Sequence, residues 1–310
     1  MRPIVLLALL VLSAPVSAEP SAAPTLPLPP PAWYTADVHR QVLEAGTRGV
    51  EVPLSHDQAP LVLDCAGYSP ASTNPPSALA VSAGGCMVHP SGCTMNFVFT
   101  DGASQYIGTA GHCADQGEDV VMQVGTRVDA TDTVLVTVAK IGTVTKSVDG
   151  GIGRDFGLVK IDPGWAVVPG IAGALGPTGV FCDEPLGQPV LHYGHGYVIT
   201  VQQGAPKVGE VVPDLTLLFD FTSEQYGYNW AGYGLPGDSG SPVVVAAGGA
   251  AVGNLTHGIG VSIVPIPGLN FGMTMPGIFN YIGSGYSMVT LDGGTANCGA
   301  VAPQKGKKRS

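Results

Sequence analysis

Glycine and proline punctuate this chain too densely for a long helix. There are 45 glycines and 27 prolines among 310 residues, so a helix breaker falls at about every fourth position. Between the breakers lie short runs rich in Val, Thr and Ile. Runs of that kind, bounded by turn residues, read as strands. They fall at 95–100, 105–109, 120–124, 133–145, 157–161, 197–202, 215–219, 242–247, 251–256 and 261–264. Helical patterning is confined to two places. Residues 35–46 carry Thr35 or Asp37 as N-cap, Val38 and Val42 on one face and Gly46 as stop. A second short helix is predicted at about 277–283. The glycines show no period of three, which excludes a collagen-like chain. Many short strands with little helix argue for a sandwich or barrels rather than parallel α/β units.

Only 12% of residues are charged, with a net charge of −10. The pI is about 4.9 and the mean hydropathy +0.29. An acidic surface of this kind excludes nucleic acid as the expected partner, since phosphate binding needs clustered Lys and Arg. Four of the thirteen basic residues, Lys305, Lys307, Lys308 and Arg309, crowd into the C-terminus. That stretch, 299–310, reads as a solvated basic tail.

Residues 1–18 have the pattern of a secretory signal. Arg2 precedes an apolar run from Ile4 to Leu12, and Val16-Ser17-Ala18 offers a small-residue cleavage site. The run is too short to span a bilayer, and no second one follows. A secreted, extracellular product without a transmembrane segment is expected, and a monomer. Six cysteines fit that compartment: Cys65, Cys86, Cys93, Cys113, Cys182 and Cys298. They read as three disulfides among 15 possible connectivities. No C-x-x-C pair supports a zinc ribbon. His192 and His195 form H-x-x-H, but Tyr193, Gly194 and Gly196 place them on a strand and turn, not on a metal-binding helix face. No metal and no cofactor is expected.

Three segments carry groups suited to acyl transfer. GTAGHC (108–113) contains His112. GRDFGLVKI (153–161) contains Asp155. GDSGSP (237–242) contains Ser239. A serine hydroxyl is a weak nucleophile until a neighbouring base takes its proton. Histidine has the intrinsic pKa for that duty, and a carboxylate can fix its tautomer. Gly237 allows the turn that would aim its own N–H and that of Ser239 at a developing oxyanion. An α/β-hydrolase is excluded on two counts. Ser241 stands where its G-x-S-x-G elbow needs glycine, and no Asp or Glu lies between Ser239 and His257.

These segments, in the order His, Asp, Ser, resemble the chymotrypsin-like serine proteases. The secreted bacterial branch typified by α-lytic protease is the nearest in pattern. The resemblance spans about 86–298. It implies an all-β fold of two antiparallel six-stranded barrels with the active site between them and a short C-terminal helix. It also implies a disulfide between Cys93 and Cys113. On this resemblance 86–175 form the first barrel and 176–298 the second, while 19–85 are a Pro-rich spacer followed by an N-terminal extension or pro-segment. His112, Asp155 and Ser239 take the catalytic roles, and Gly237 and Ser239 the oxyanion hole. Tyr233, Thr256, His257 and Gly258 fall at substrate-binding positions. Tyr233 stands six residues before the nucleophile, where no acid is present to favour a basic P1 side chain. An apolar or small P1 residue is therefore expected, with His257 offering a way to greet an acidic one. The loop from Tyr226 to Pro236 either shapes the pocket or packs. Asp238 needs a positive partner, for which Arg127, Arg154 and a freed N-terminus are the candidates. Polypeptides are the expected substrates. A catalytically silent binding or adhesion module on the same fold and a serine esterase are the alternative functions.

Overall fold

The turn glycines and short apolar runs fold into two β units and two helices. The computed structural model describes residues 28–55, 80–171, 175–198, 201–213, 226–259 and 268–299, with the side chains of 197–198, 201–205 and 259 left aside. The signal-like segment, the strands expected at 215–219 and 261–264 and the basic tail lie outside them. Chain order begins with helix α1 (Ala36–Ala45) and strand β1 (Val50–Leu54). Then come β2 (Ala80–Ser82), β3 (Cys86–His89), β4 (Cys93–Thr94), β5 (Val98–Thr100) and β6 (Gln105–Thr109). Strands β7 (Asp119–Val128), β8 (Val134–Asp149), β9 (Asp155–Ile161) and β10 (Ala166–Val168) complete the first half. The second half holds β11 (Pro189–Val198), β12 (Val201–Val212), β13 (Gly227–Gly232), β14 (Pro242–Val245), β15 (Ala251–Ile259) and β16 (Gly268–Thr274). Helix α2 (Met275–Ile282) and strands β17 (Ser287–Val289) and β18 (Thr295–Ala296) follow.

Six strands of the second half close a barrel in the order β11-β12-β13-β16-β15-β14. The first half is larger than six strands. It is a ten-stranded sheet in the order β18-β17-β5-β6-β9-β8-β7-β3-β4, with β1 added on β8. Three of its strands, β1, β17 and β18, come from outside the run β3–β9. β1 pairs antiparallel with Val134–Val138 of β8, and β17 crosses back to pair with β5. The fold is thus the expected two-unit all-β architecture with a short C-terminal helix. The 16-residue strand β8 serves both ends of the first sheet. It pairs with β7 up to Thr143 and with β9 from Gly142 onward, bulging between Val144 and Lys146. A bulge bends a strand and lets it change partners in this way.

Apolar side chains fill both units and the seam between them. Phe97, Phe99, Phe156 and Leu158 of the first sheet share one buried cluster with Tyr193, Val244, Met273 and Ile278 of the second half. Tyr228 and Trp230 stack at 5.2 Å inside the barrel, both buried. They belong to β13, so this part of the 226–236 stretch packs. Helix α1 begins where the sequence predicts it. Thr35 Oγ1 accepts from Val38 N at 3.3 Å, and Gly46 ends it with φ 58°. Its Val42 joins Trp33, Tyr34, Val52 and Leu54 over Val88, Val121, Val134, Val136 and Val138.

Candidate active site

His112 sits in a short 3-10 turn, Gly111–Cys113, that follows β6. The chain can pass there only because residue 111 has no side chain. A Cβ on Gly111 would lie 1.9 Å from Val148 O on β8. Asp155 opens β9 and is fully buried. Its Oδ1 accepts from Gly111 N and from His112 N, the latter at 3.1 Å. Its Oδ2 meets His112 Nδ1 at 2.6 Å. Three bonds from one turn therefore hold the carboxylate against the imidazole. Burial disfavours the imidazolium, but the Asp155 bond and charge, helped by Asp149, hold His112 above the ordinary histidine range. His112 Nε2 is buried and has no partner among the described residues.

Ser239 lies in the tight turn between β13 and β14, with its carbonyl 4.0 Å from Cys113 Sγ. Gly237 adopts φ 96°, a left-handed conformation that a side chain would strain. Neighbouring donors in the turn are used. Asp238 N bonds Leu235 O, Gly240 N bonds Leu255 O and Ser241 N bonds Asp238 O. The N–H groups of Gly237 and Ser239 have no acceptor among the described residues. The turn is fastened to the first sheet by Thr94. Thr94 N donates to Ser239 O at 2.8 Å and Thr94 Oγ1 to Gly237 O at 2.9 Å. His195 N in turn donates to Thr94 Oγ1 at 3.1 Å. The Ser239 hydroxyl makes no bond to His112 Nε2 in this arrangement. Such contacts tighten in the substrate complex.

The cation beside Asp238 is neither an arginine nor a chain terminus. Lys207 Nζ, on β12, reaches Asp238 Oδ1 at 2.9 Å with both side chains buried. Arg127 bridges to Glu51 at 2.7 Å on the surface instead. Gly196 N and Leu235 N complete the coordination of Asp238 at 2.7 and 2.9 Å. Burial alone would raise this carboxyl, but the charge of Lys207 and the Lys207 bond hold it below the usual range. Lys207 Nζ also donates to Gly194 O at 3.0 Å. The sequence held a cue for Lys207: between Lys160 and Lys305 it is the only Lys or Arg.

His192 and His195 serve the same wall. His192 Nε2 lies 2.5 Å from Tyr233 O and its Nδ1 3.3 Å from Ser241 Oγ. His195 Nε2 lies 2.5 Å from Gly84 O. Burial pushes both down to about 4, so both are neutral over the working range. Cys93 and Cys113 form a disulfide beneath His112. Their sulfurs and a His112 ring nitrogen lie within 4.8 Å of one another, but sulfurs committed to a disulfide are not thiolate ligands. Cys182 and Cys298 form a second disulfide. Cys86 is also disulfide-bonded.

The remaining substrate candidates differ in exposure. Tyr233 and His257 are half-buried, Thr256 is buried and Gly258 is exposed. Thr256 Oγ1 bonds Phe271 O at 3.3 Å and His257 Nδ1 at 2.8 Å. Asn254 belongs with the site as well. Its Nδ2 donates to Asp155 O at 3.2 Å, which ties β15 to β9 across the seam. Local pattern cannot find Thr94 or Asn254, because each works through partners about a hundred or more residues away. On its β14 side, β15 is paired only as far as Asn254, and 256–259 carry no strand there among the described residues.

No family model and no curated protein matches the chain. Solved structures do. A chymotrypsin from Cellulomonas bogoriensis aligns over 68% of this chain and 98% of its own, at 20% identity and TM-score 0.46. Protease A from Thermobifida fusca aligns over 64% and 91%, at 22% identity and TM-score 0.43. An α-lytic protease homolog, N4, aligns over 68% and 99%, at 18% identity and TM-score 0.41. In fold the chain is similar to bacterial chymotrypsin-like serine proteases.

Proposed function

We propose that this chain is a secreted serine endopeptidase. His112 Nε2 takes the Ser239 proton as Oγ attacks the scissile carbonyl. The oxyanion that forms accepts from the Gly237 and Ser239 N–H groups. His112 then gives the proton to the leaving amine, and water hydrolyses the acyl-enzyme by the same steps in reverse. Asp155 keeps Nδ1 protonated and offsets the charge that His112 gains. The observation that carries this reading is the His112–Asp155 pair. A buried imidazole is bonded to a buried carboxylate on one side and has an unpartnered nitrogen on the other, next to a serine turn with two unused N–H groups.

The open edge of β15 at 256–259 supports an extended polypeptide as substrate, added as a strand with Gly258 beside it. Tyr233 at the position six before Ser239 supports an apolar or small P1 residue. Among the described residues no helix is long and apolar enough to cross a membrane. The test is turnover of a peptide library with amide bonds, using Ser239→Ala as control. Cleavage after apolar or small residues, abolished in the variant, is expected. Turnover of esters but not of amides would make the chain an esterase, and cleavage that persists in the variant would remove Ser239 from the mechanism.

A further inference from the structure

A second imidazole competes for the carboxylate that orients His112. The rings of His257 and His112 lie 5.8 Å apart at 60°. Asp155 Oδ2 is 2.6 Å from His112 Nδ1 and 3.8 Å from His257 Nδ1. What holds His257 off is Thr256. The Thr256 hydroxyl donates its one proton to Phe271 O, so its oxygen must accept from His257 Nδ1–H at 2.8 Å. That chain of bonds fixes His257 in the Nδ1–H tautomer. Its side chain is 25% exposed, so water can deliver a proton to Nε2.

Two imidazoles share this one buried carboxylate, so the second positive charge is taken up only at a lower pH than the first. The titratable groups that act on His257 come from three elements. Burial disfavours its charged form most and sets the net direction downward; Asp155 on β9 and Asp149 at the end of β8 favour that form, and His112 opposes it. Catalysis needs the single charge on His112, at the moment when the serine proton arrives.

We infer that His257 is a positioning residue for the His112–Asp155 pair. Neutral, it stays on Thr256 and leaves Asp155 Oδ2 to His112. Protonated, it turns to Asp155 as an ion-pair partner and prevents His112 from accepting the serine proton. The inference rests on the proteolytic role proposed above. It goes beyond a substrate-facing duty for His257, because it predicts the shape of the pH profile, not only its height.

The test is the rate of Ser239 modification by a fluorophosphonate between pH 4.5 and 8, with near-UV circular dichroism recorded at each pH. In the wild type the logarithm of the rate falls with slope one and then steepens towards two. In His257→Gln and His257→Phe, which carry no second proton, the slope stays at one. A slope of one throughout in the folded wild type overturns the inference, as does equal steepening in the variants. The proton between His112 Nδ1 and Asp155 gives an independent readout by proton NMR, without turnover. It shifts in two steps in the wild type and in one step in His257→Gln. One step in a wild type that labels normally overturns the inference alone. Two steps in a chain that never labels would uphold the coupling and overturn the proteolytic reading.

Discussion

At the scale of single residues, charge and hydrogen bonding decide which groups can work. Asp155 raises the His112 pKa above its usual value of about 6.5. The base is useful only when neutral, so kcat/KM should fall on the acid side with an apparent pKa above that value. Asp155→Asn removes both the charge and the tautomer control, and should lower kcat by about 10⁴-fold. Stopped or steady-state kinetics across pH check both statements. An acid limb well below pH 6, or an Asp155→Asn variant with near wild-type rate, would contradict them. Lys207 gives a second test. Lys207→Met leaves Asp238 buried and uncompensated, which costs about 3–5 kcal/mol. The double change with Asp238→Asn should recover part of that in chemical denaturation while leaving Ser239 less reactive. His112, Asp155 and Ser239 were legible as candidates because each sits in a local motif whose chemistry is self-contained. Lys207 was not, because the pair forms only when β12 lies along β11. Composition nevertheless left it as the one Lys or Arg between Lys160 and Lys305.

Elements position these residues through a few crossing bonds. Thr94 on β4 holds the Ser239 turn by two bonds, one of them from its hydroxyl to Gly237 O. Thr94→Val keeps the shape but leaves Gly237 O and His195 N without the hydroxyl. A loss of about 1–3 kcal/mol is expected from thermal melts, with a larger proportional drop in kcat than in 1/KM. No loss would mean that the turn holds itself. The strand at 105–109 was read from sequence with the bounds it has in the structure, and 251–256 as the start of β15, because Val and Ile runs end there at turn residues. Strands β13 and β16 were not, and β11 was read only as a strand and turn around His192 and His195. Their Gly, His, Asn and Tyr content hides the period of two, and only closure of the barrel makes them strands. The range 197–202 was read as one strand, yet it covers the end of β11 and the start of β12. Helix α1 was legible to within a residue or two, since its cap and stop are local.

At the scale of the whole molecule, the first sheet takes in β1, from before its other strands, and β17–β18, from after the barrel. Helix α1 and β1 cover Val88, Val121, Val134, Val136 and Val138. Deleting 28–54 should expose that face and give aggregation on size-exclusion chromatography; a monomeric, active product would show that the segment is dispensable. Sequence offered no match for this region, because its docking is set by shape and not by motif. Acid stability is also a property of the whole. His192 and His195 titrate near 6.5 when unfolded and at about 4 when folded. The unfolded chain binds more protons between those values, so stability is complete above pH 6.5 and declines towards pH 4. Each imidazole contributes roughly 3 kcal/mol to that decline, read by denaturant titration at stepped pH. The central claim is that Ser239 is an activated nucleophile. The direct measurement is mass-spectrometric mapping of a fluorophosphonate adduct on the folded, disulfide-intact protein at pH 8. One adduct per chain, on Ser239, and absent from His112→Ala, is the predicted result. A folded wild type that takes no adduct, or takes it elsewhere, would contradict the account.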